Sequence, residues 1–228
     1  MVEHETSSAP LHMLSAGSFG RAVAQYLRAF RTDLVETVLA DDASALPAVS
    51  PESRAVILAS WRPVPRFCEL LDEFSFTHER PFVPVILDST ILRIGPVVIP
   101  GQGSCWGCWA RRYTQYDTWR EERRVLLEHY ASQPDAGPQG YLEPFAMIGA
   151  SRLASVLSKL TDSNSPAGNI WQIDVITREI STGTVVGVHD CVRCGLHRTA
   201  AERNFSSMQR DLAYLWSQPS GSKGNNHQ

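Results

Sequence analysis

The first part of the chain alternates between apolar runs, which are patterned as buried strands, and segments whose apolar residues recur at helical spacing. In chain order, this pattern predicts strands at 11–14, 34–40, 53–61 and 82–87 and helices at 21–30 and 67–74. Strands that alternate with helices are typical of a parallel sheet with helices on its faces. We therefore predict an α/β fold with a Rossmann-like, mostly parallel sheet flanked by helices.

The second part of the chain has a different pattern. Residues 91–99 predict a strand or hairpin, and a stripe of aromatic and apolar residues from Trp109 to Tyr130, with a gap near Arg123, predicts a helix. Further along, the pattern predicts a helix at 143–160, a hairpin formed by 170–176 and 183–188, and a closing helix at 198–216. The hairpin ends just before a pair of cysteines.

These elements form one series without an internal repeat, so we predict a single domain over residues 11–217. We expect residues 1–10 to form a flexible N-terminus. The tail at 218–228 is rich in Ser, Gly and Asn, and we expect it to be disordered.

Composition narrows the functional classes. Of the 228 residues, 43% are hydrophobic and 20% are charged, with a formal net charge of -3, which is ordinary for a soluble globular protein. An acidic chain without clustered basic residues is a poor electrostatic binder of nucleic acid. No apolar run has the length of a membrane helix, and the N-terminus lacks the basic and apolar regions of a secretory signal. We predict a cytoplasmic protein that binds neither nucleic acid nor membrane.

Four of the five cysteines form two Cys-x-x-Cys pairs, Cys105 with Cys108 and Cys191 with Cys194. In a reducing compartment this spacing indicates metal or redox chemistry rather than a disulfide framework. A tight turn aims both thiolates of a pair at one ion, and two such turns complete a tetrahedral shell around Zn²⁺. We predict a structural zinc ion, because four thiolates leave no position open for water. Two redox dithiols, or four buried thiols without a metal, are the alternatives.

The two pairs lie far apart in the sequence, so a shared metal would join the start of a helix to the end of the distant hairpin and contribute to folding. We expect the zinc-bound part to span about 95–200. Cys68 stands alone in a predicted apolar helix, where we expect a core residue, with a nucleophile as the alternative. His189 and His197 flank the second pair, and we expect them near the metal or at the surface.

A glycine turn, Ser15-Ala16-Gly17-Ser18-Phe19-Gly20, follows the first predicted strand. It has the spacing of a dinucleotide phosphate loop, with Gly17, Gly20 and Asp41 as candidate nucleotide-binding residues. Ser15 replaces the first glycine, and the bulky Phe19 has to point away from any phosphate, so we expect a degenerate loop. The alternative is that the glycines only close the connection between strand and helix. We assign no catalytic residue.

Three segments together resemble a known family: the degenerate glycine loop, residues 94–101 before the first cysteine pair and Arg111-Arg112, and residues 188–190 before the second pair. They are similar to the ThiF-like (ubiquitin-activating-enzyme-like) partner proteins of azoline-forming peptide biosynthesis. In that family such a protein assists a separate YcaO-type cyclodehydratase. That enzyme uses ATP to convert Cys, Ser or Thr of a ribosomal precursor peptide into thiazoline or oxazoline rings. The resemblance covers about residues 11–195.

The chain departs from this family at two places. Activating enzymes of the superfamily hold ATP with Arg, Gln and Lys after the second strand, whereas residues 42–53 contain no Lys, Gln or Asn. We therefore expect adenylation to be lost. Family members also commonly carry an N-terminal winged-helix module that captures the leader peptide. This chain begins almost directly at the first strand, so we expect leader capture to belong to another subunit.

The resemblance implies a non-catalytic scaffold in a peptide-modifying, antibiotic-type biosynthetic complex, where it docks or activates a YcaO-type cyclodehydratase. The implied partners are that enzyme and the precursor peptide, bound directly or through a leader-binding subunit, within a homodimer or hetero-complex. A ThiF-like ATP-dependent adenylyltransferase is the first alternative. A nicotinamide-dependent oxidoreductase that uses the glycine loop is the second.

Overall fold

The computed structural model describes residues 9–40, 45–133, 136–137, 140–161 and 165–195. Along these residues, seven strands and five helices follow one another in the order β1, α1, β2, β3, α2, β4, β5, α3, α4, α5, β6, β7. The strands are β1 Leu11–Ala16, β2 Leu34–Leu39, β3 Ala55–Ser60, β4 Phe82–Asp88, β5 Ile91–Ile94, β6 Asn169–Asp174 and β7 Ile180–Thr184. The helices are α1 Gly17–Arg28, α2 Pro65–His78, α3 Trp106–Tyr116, α4 Arg120–Ser132 and α5 Glu143–Ser158.

All these strands belong to one sheet with the order β2-β1-β3-β4-β5-β6-β7. Strands β2, β1, β3 and β4 are parallel, with Leu11 of β1 opposite Leu34 of β2 on one side and opposite Ala55 of β3 on the other. From β4 onwards the neighbours β5, β6 and β7 pair antiparallel. The predicted α/β fold, with a mostly parallel sheet and flanking helices, is confirmed.

Hydrophobic side chains cover both faces of the sheet. Helices α1 and α5 pack on one face, around buried residues such as Phe19 and Leu153, while α2 and α3 pack on the other, around Leu71 and Trp106. Strand β3 is buried along its whole length, as its continuous apolar run predicts for a central parallel strand. The two layers of helix therefore have separate cores, divided by the sheet.

Some boundaries differ from the sequence-based prediction. Helix α1 begins at Gly17, directly after β1, so the glycine turn forms the first helical turn instead of a separate loop. Strand β7 covers Ile180–Thr184 instead of 183–188. The predicted helix at 198–216 and the tail at 218–228 lie outside the described residues, as does most of the N-terminus at 1–10.

The single helix predicted from the Trp109–Tyr130 stripe is wrong, because the chain turns between α3 and α4. The Asp117 carboxylate accepts the backbone N–H of Trp119 at 3.0 Å and pairs with Arg123. Arg123 also reaches Asp88, at the end of β4, at 3.2 Å. The gap in the apolar stripe at Arg123 therefore marks an ion-paired position at the start of a second helix.

Among the described residues, no helix combines the length and apolar character that a bilayer-spanning segment needs.

Gly20 lies where α1 passes very close to β3. A Cβ atom at this position would stand 2.5 Å from the carbonyl oxygen of Ala59, which is strand backbone. We expect Gly20→Ala to lower the free energy of unfolding by roughly 1–3 kcal/mol, the usual cost of overpacking, as measured by urea denaturation. Gly140→Ala is the control, because its added Cβ meets nothing within 4 Å. Equal losses in the two variants would contradict the close-packing role of Gly20.

Candidate metal centre

The two cysteine pairs meet at the start of α3. Cys105 immediately precedes this helix and Cys108 lies in its first turn, while Cys191 and Cys194 lie in the turn that follows β7. The Sγ–Sγ distances are 3.6 Å for Cys105–Cys108, 3.6 Å for Cys105–Cys191 and 3.5 Å for Cys108–Cys194. All four sulfur atoms lie within 4.8 Å of one another, and each cysteine is buried.

This arrangement fits a tetrahedral metal ion. Metal–sulfur bonds of about 2.3 Å place the four sulfurs of a tetrahedral zinc site about 3.8 Å apart, close to the separations in this cluster. Four thiolates are a soft donor set that fills the tetrahedron and leaves no position for water. The described residues contain no other group of three or more His, Cys, Asp or Glu side chains that could hold a metal. The four cysteines could therefore hold a metal ion in a closed shell.

Electrostatics within the cluster favour a bound cation. Hydrogen bonds with Cys108 and Cys194, followed by burial, raise the pKa of the Cys105 thiol well above its ordinary value. The hydrogen bonds that Cys194 receives from Cys105 and Cys108 lower the pKa of Cys194. A divalent cation would supply the positive charge that allows all four to be deprotonated.

Backbone contacts aim the thiols inward. The N–H of Val188 donates to Sγ of Cys108 at 3.2 Å, and the N–H of Gly195 donates to the carbonyl oxygen of Cys191 at 2.8 Å. A Cβ atom at Gly195 would lie 2.3 Å from that oxygen, so the tight turn around Cys194 has room only for glycine. Glycine is needed at position 195 because the backbone of Cys191 passes very close to it.

Asp72 of α2 connects the two cysteine pairs, and the sequence analysis missed it. Its carboxylate is fully buried, accepts the backbone N–H of Trp106 at 3.0 Å and pairs with the Arg193 guanidinium at 2.6 Å. Trp106 follows Cys105 directly and Arg193 precedes Cys194 directly, so one side chain positions both pairs. Burial raises the pKa of Asp72, against the lowering effect of the Arg193 hydrogen bond. An acid on the apolar face of α2 was the available signal.

Arg112 makes a second connection between α3 and the chain after β7. Its guanidinium donates to the carbonyl oxygens of Val186 at 2.6 Å and of Gly187 at 3.2 Å. This arginine belongs to the Arg-Arg pair that follows the first cysteine pair in the sequence. Its hydrogen bonds give Arg112 a structural role beside the cluster.

The other sulfur and imidazole candidates are Cys68, His189 and His197. Cys68 is 3% exposed in the core between α2 and the sheet, and burial raises its pKa to about 12, so its thiol stays protonated at neutral pH. The core interpretation of Cys68 is confirmed. His189 is a surface residue whose Nδ1 lies 3.0 Å from the Asp190 carboxylate. His197 lies outside the described residues.

The glycine turn shows which parts of a dinucleotide loop persist. Gly20 keeps the role of the third glycine, which is close packing between helix and strand. At the position of the first glycine, the buried Ser15 hydroxyl donates to the Glu36 carboxylate at 2.6 Å. Asp41 lies outside the described residues. The first strand-to-helix connection is therefore closed by protein contacts.

The space beside Gly17 is filled by the indole of Trp61, which follows β3. A Cβ atom at Gly17 would lie 2.0 Å from Cδ1 of Trp61, and one at Gly137 would lie 3.1 Å from Cζ3 of the same ring. In dinucleotide folds, the second glycine of the loop leaves room for the pyrophosphate at the crevice where the strand order reverses. In this chain, that crevice lies between β1 and β3, and Trp61 occupies it.

Arg62 holds this filling in place. Its guanidinium carbon lies 4.9 Å from the centre of the Trp61 ring and 5.1 Å from the centre of the Tyr130 ring. Nη1 donates to the carbonyl oxygens of Gln133 at 3.2 Å and Ala136 at 2.8 Å. A buried cation, two aromatic rings and the chain after α4 thus form one packed unit over the glycine turn.

No protein-family model matches the chain. No curated protein matches it in sequence. Solved structures nevertheless share its fold. The heterocyclase TruD aligns with a TM-score of 0.59 and 17% identity, over 82% of this chain and 28% of that chain. A heterocyclase in complex with substrate and cofactor has 25% of its length covered, so the chain spans about a quarter of these heterocyclases.

Two structures from E. coli extend the comparison. The microcin synthetase McbBCD complex has a TM-score of 0.61 and 13% identity, over 84% of this chain and 70% of that chain. MccB with AMPCPP and selenomethionine-labelled MccA has a TM-score of 0.55 and 12% identity, over 82% of this chain and 66% of that chain. At these identities the similarity is one of fold.

Removal of the Asp72 carboxylate should destabilise the protein. Asp72→Ala leaves Arg193 without its partner and Trp106 without an acceptor. Because Arg193 retains 30% side-chain exposure, we expect a loss of about 2–4 kcal/mol in the free energy of unfolding, toward the lower end for buried ion pairs. Chemical denaturation measures this loss.

Asp33→Ala is the matched control, because Asp33 forms a partly exposed ion pair with Arg54 at 2.9 Å. Its loss should cost less than about 1 kcal/mol. If the two variants lose the same stability, Asp72 does not have the linking role described above.

Proposed function

We propose that this chain is a non-catalytic partner subunit of a complex that modifies ribosomal peptides. It docks or activates a YcaO-type cyclodehydratase, and that enzyme forms thiazoline or oxazoline rings on a precursor peptide. The fold shared with a heterocyclase and a microcin synthetase complex supports involvement in such modification. The observation that carries the non-catalytic role is the indole of Trp61 beside Gly17, in the place where a nucleotide phosphate would bind.

The two enzymatic alternatives both need that place. An adenylyltransferase requires room for the phosphates and cations to stabilise the transferring group. A nicotinamide-dependent enzyme requires room for the pyrophosphate of its cofactor. The similarity to MccB, whose structure contains AMPCPP, favours the adenylyltransferase of the two. Trp61 in the crevice and the engagement of Arg62 by two carbonyl groups count against both.

Helix α4 and the residues before it offer a surface for the cyclodehydratase. None of the α4 residues is buried. Four large apolar side chains are exposed here, and we call them the α3–α4 apolar surface: Tyr116, Trp119, Val125 and Leu126. Exposed apolar groups that are rimmed by charges are typical of protein interfaces, and aromatic residues often contribute most of the binding energy. In our proposal, the cyclodehydratase binds this surface.

The metal in the proposal is a structural Zn²⁺ ion. Purified protein should contain about one zinc per chain, the content expected for a four-cysteine site, as measured by inductively coupled plasma mass spectrometry. Cys108→Ser should lose the metal and much of the stability, since metal binding contributes directly to folding. Cys68→Ala should keep the zinc, because Cys68 lies outside the cluster. Iron in the purified protein, or full stability after chelation, would contradict a structural zinc.

Co-expression with a YcaO-type cyclodehydratase and a precursor peptide encoded beside this chain tests the partner role. We expect the two proteins to co-elute, and ring formation, measured as loss of one water per ring by mass spectrometry, to depend on this chain. The double variant Trp119→Asp and Leu126→Asp should abolish co-elution, because it places charge in the α3–α4 apolar surface. Met147→Asp is the control, since Met147 is exposed to a similar extent but lies on α5, outside this surface.

Nucleotide titrations of the isolated chain decide between the alternatives. We expect no binding of ATP by isothermal titration calorimetry. Tight ATP binding, with pyrophosphate release on addition of peptide, would instead establish an adenylyltransferase. Enhanced fluorescence of a reduced nicotinamide cofactor would establish the oxidoreductase.

A further inference from the structure

A groove of about 260 Å³ lies between α5 and the hairpin formed by β6 and β7. Its lining includes no residue of the cysteine cluster or of the glycine turn. Arg152 and Ser155 of α5 and Lys159, the residue directly after this helix, form one wall, and Trp171, Thr182 and Thr184 contribute to the floor. The groove is therefore a separate feature of the molecule.

Two cations line this groove, Arg152 within α5 and Lys159 directly after its end. Arg152 and Lys159 are seven residues apart, which is about two helical turns and about 10 Å along the helix axis. The Arg152 guanidinium lies 5.8 Å from the centre of the Trp171 ring. Within the described part of the chain, neither cation has an ion pair with a carboxylate. The wall of the groove is thus a positively charged surface without an internal partner.

The floor of the groove ends at an open strand edge. Strand β7 is the last strand of the sheet formed by the described residues, and all of its residues are exposed. The N–H of Val185 bonds to Gly168, and the carbonyl oxygen of Glu179 accepts the N–H of Asp174. Because backbone groups alternate in direction along a strand, the residues with even numbers point away from β6. Ile180, Thr182 and Thr184 therefore offer their N–H and C=O groups to a further strand.

We propose that this groove binds an acidic peptide segment in extended conformation, which adds to the sheet beside β7. The open backbone groups would bind the main chain of the peptide, as in other cases of strand addition. An extended chain advances about 3.3 Å per residue, so acidic side chains two or four residues apart on one face are about 7 or 13 Å apart. These spacings bracket the separation of Arg152 and Lys159. The chemistry that recognises the partner is a pair of carboxylates on a β-strand.

Other occupants fit the groove less well. Pairing of two β7 strands from two copies of this chain would bring Arg152 and Lys159 of both copies to one seam, where like charges repel. A small anion such as phosphate would engage the cations but leave the open backbone groups of β7 unused. The acidic peptide satisfies both features.

The geometry of the groove does not depend on the proposed function. The identity of its natural occupant does rest on the proposed function. In the peptide-modifying complex, the occupant would be an acidic segment of the precursor peptide. This chain would then contribute to substrate binding at a surface separate from the α3–α4 apolar surface.

The binding test uses the full chain and a fluorescein-labelled peptide of about ten residues that alternates Glu and Val. We expect saturable binding by fluorescence anisotropy, and no comparable binding of the same peptide with Lys in place of Glu. Thr182→Pro should weaken binding roughly tenfold or more, because it removes an outward N–H that an added strand needs. Thr182→Ala keeps that N–H and should bind within about twofold of wild type.

Charge and hydrogen exchange supply two further measurements. Arg152→Glu with Lys159→Glu should weaken binding roughly tenfold, while Arg120→Glu with Arg111→Glu, two exposed positions outside the groove, should leave it nearly unchanged. On peptide binding, amide exchange should slow at Ile180, Thr182 and Thr184. The amides of Ser181 and Gly183 already face β6 and should change little.

Three results would overturn the proposal. The first is peptide binding without slower exchange at Ile180, Thr182 and Thr184, with full displacement by inorganic phosphate, which would indicate a small-anion site. The second is a concentration-dependent dimer that Thr182→Pro abolishes, with no peptide binding. The third is no binding of the acidic peptide. Failure of the cyclodehydratase to co-elute with the wild-type chain would count against the proposed function only. The anisotropy titration with the acidic peptide would still decide whether the groove binds such a peptide.

Discussion

Four thiol groups from segments 86 positions apart in the chain meet at the start of α3, and much of the molecule is arranged around that meeting. Bringing such distant segments together costs conformational entropy. A metal ion bound by the folded arrangement would offset this cost with its binding free energy. Asp72 and Arg112 add hydrogen bonds between the same segments. The chain after β7 is therefore joined to α2 and α3 by sulfur and polar contacts, in addition to the apolar core that α2 and α3 share.

The crevice between β1 and β3 is built differently from the cysteine cluster. At the crevice between β1 and β3, a fold suited to nucleotides keeps its close packing at Gly20 but fills the space beside Gly17 with Trp61. The stack of Trp61, Arg62 and Tyr130 also ties the end of α4 to the sheet. The same residues that block the crevice thereby position α4. The contacts that fill the crevice and the contacts that hold the end of α4 thus belong to one packing arrangement.

The features that depend on residues close together in the sequence were predicted correctly. The apolar runs of β1, β3 and β4, and the spacing within each cysteine pair, were sufficient to predict a parallel core and a shared metal site. Asp72 was missed because its partners, Trp106 and Arg193, lie 34 and 121 positions away. The filling of the crevice by Trp61 is likewise a contact between distant segments. The break at Asp117 had a local signal, because an Asp side chain can accept the backbone N–H two residues on and form a turn, but the aromatic stripe obscured it.

The separation of the two helix layers has a consequence for how the protein responds to its surroundings. The α1–α5 layer is held by apolar burial, whereas the α2–α3 layer combines apolar burial with a cluster of four thiols, which oxidants can attack. Oxidation of these thiols would therefore affect one side of the sheet before the other. If the cluster holds a metal ion, chelation would act on the same side.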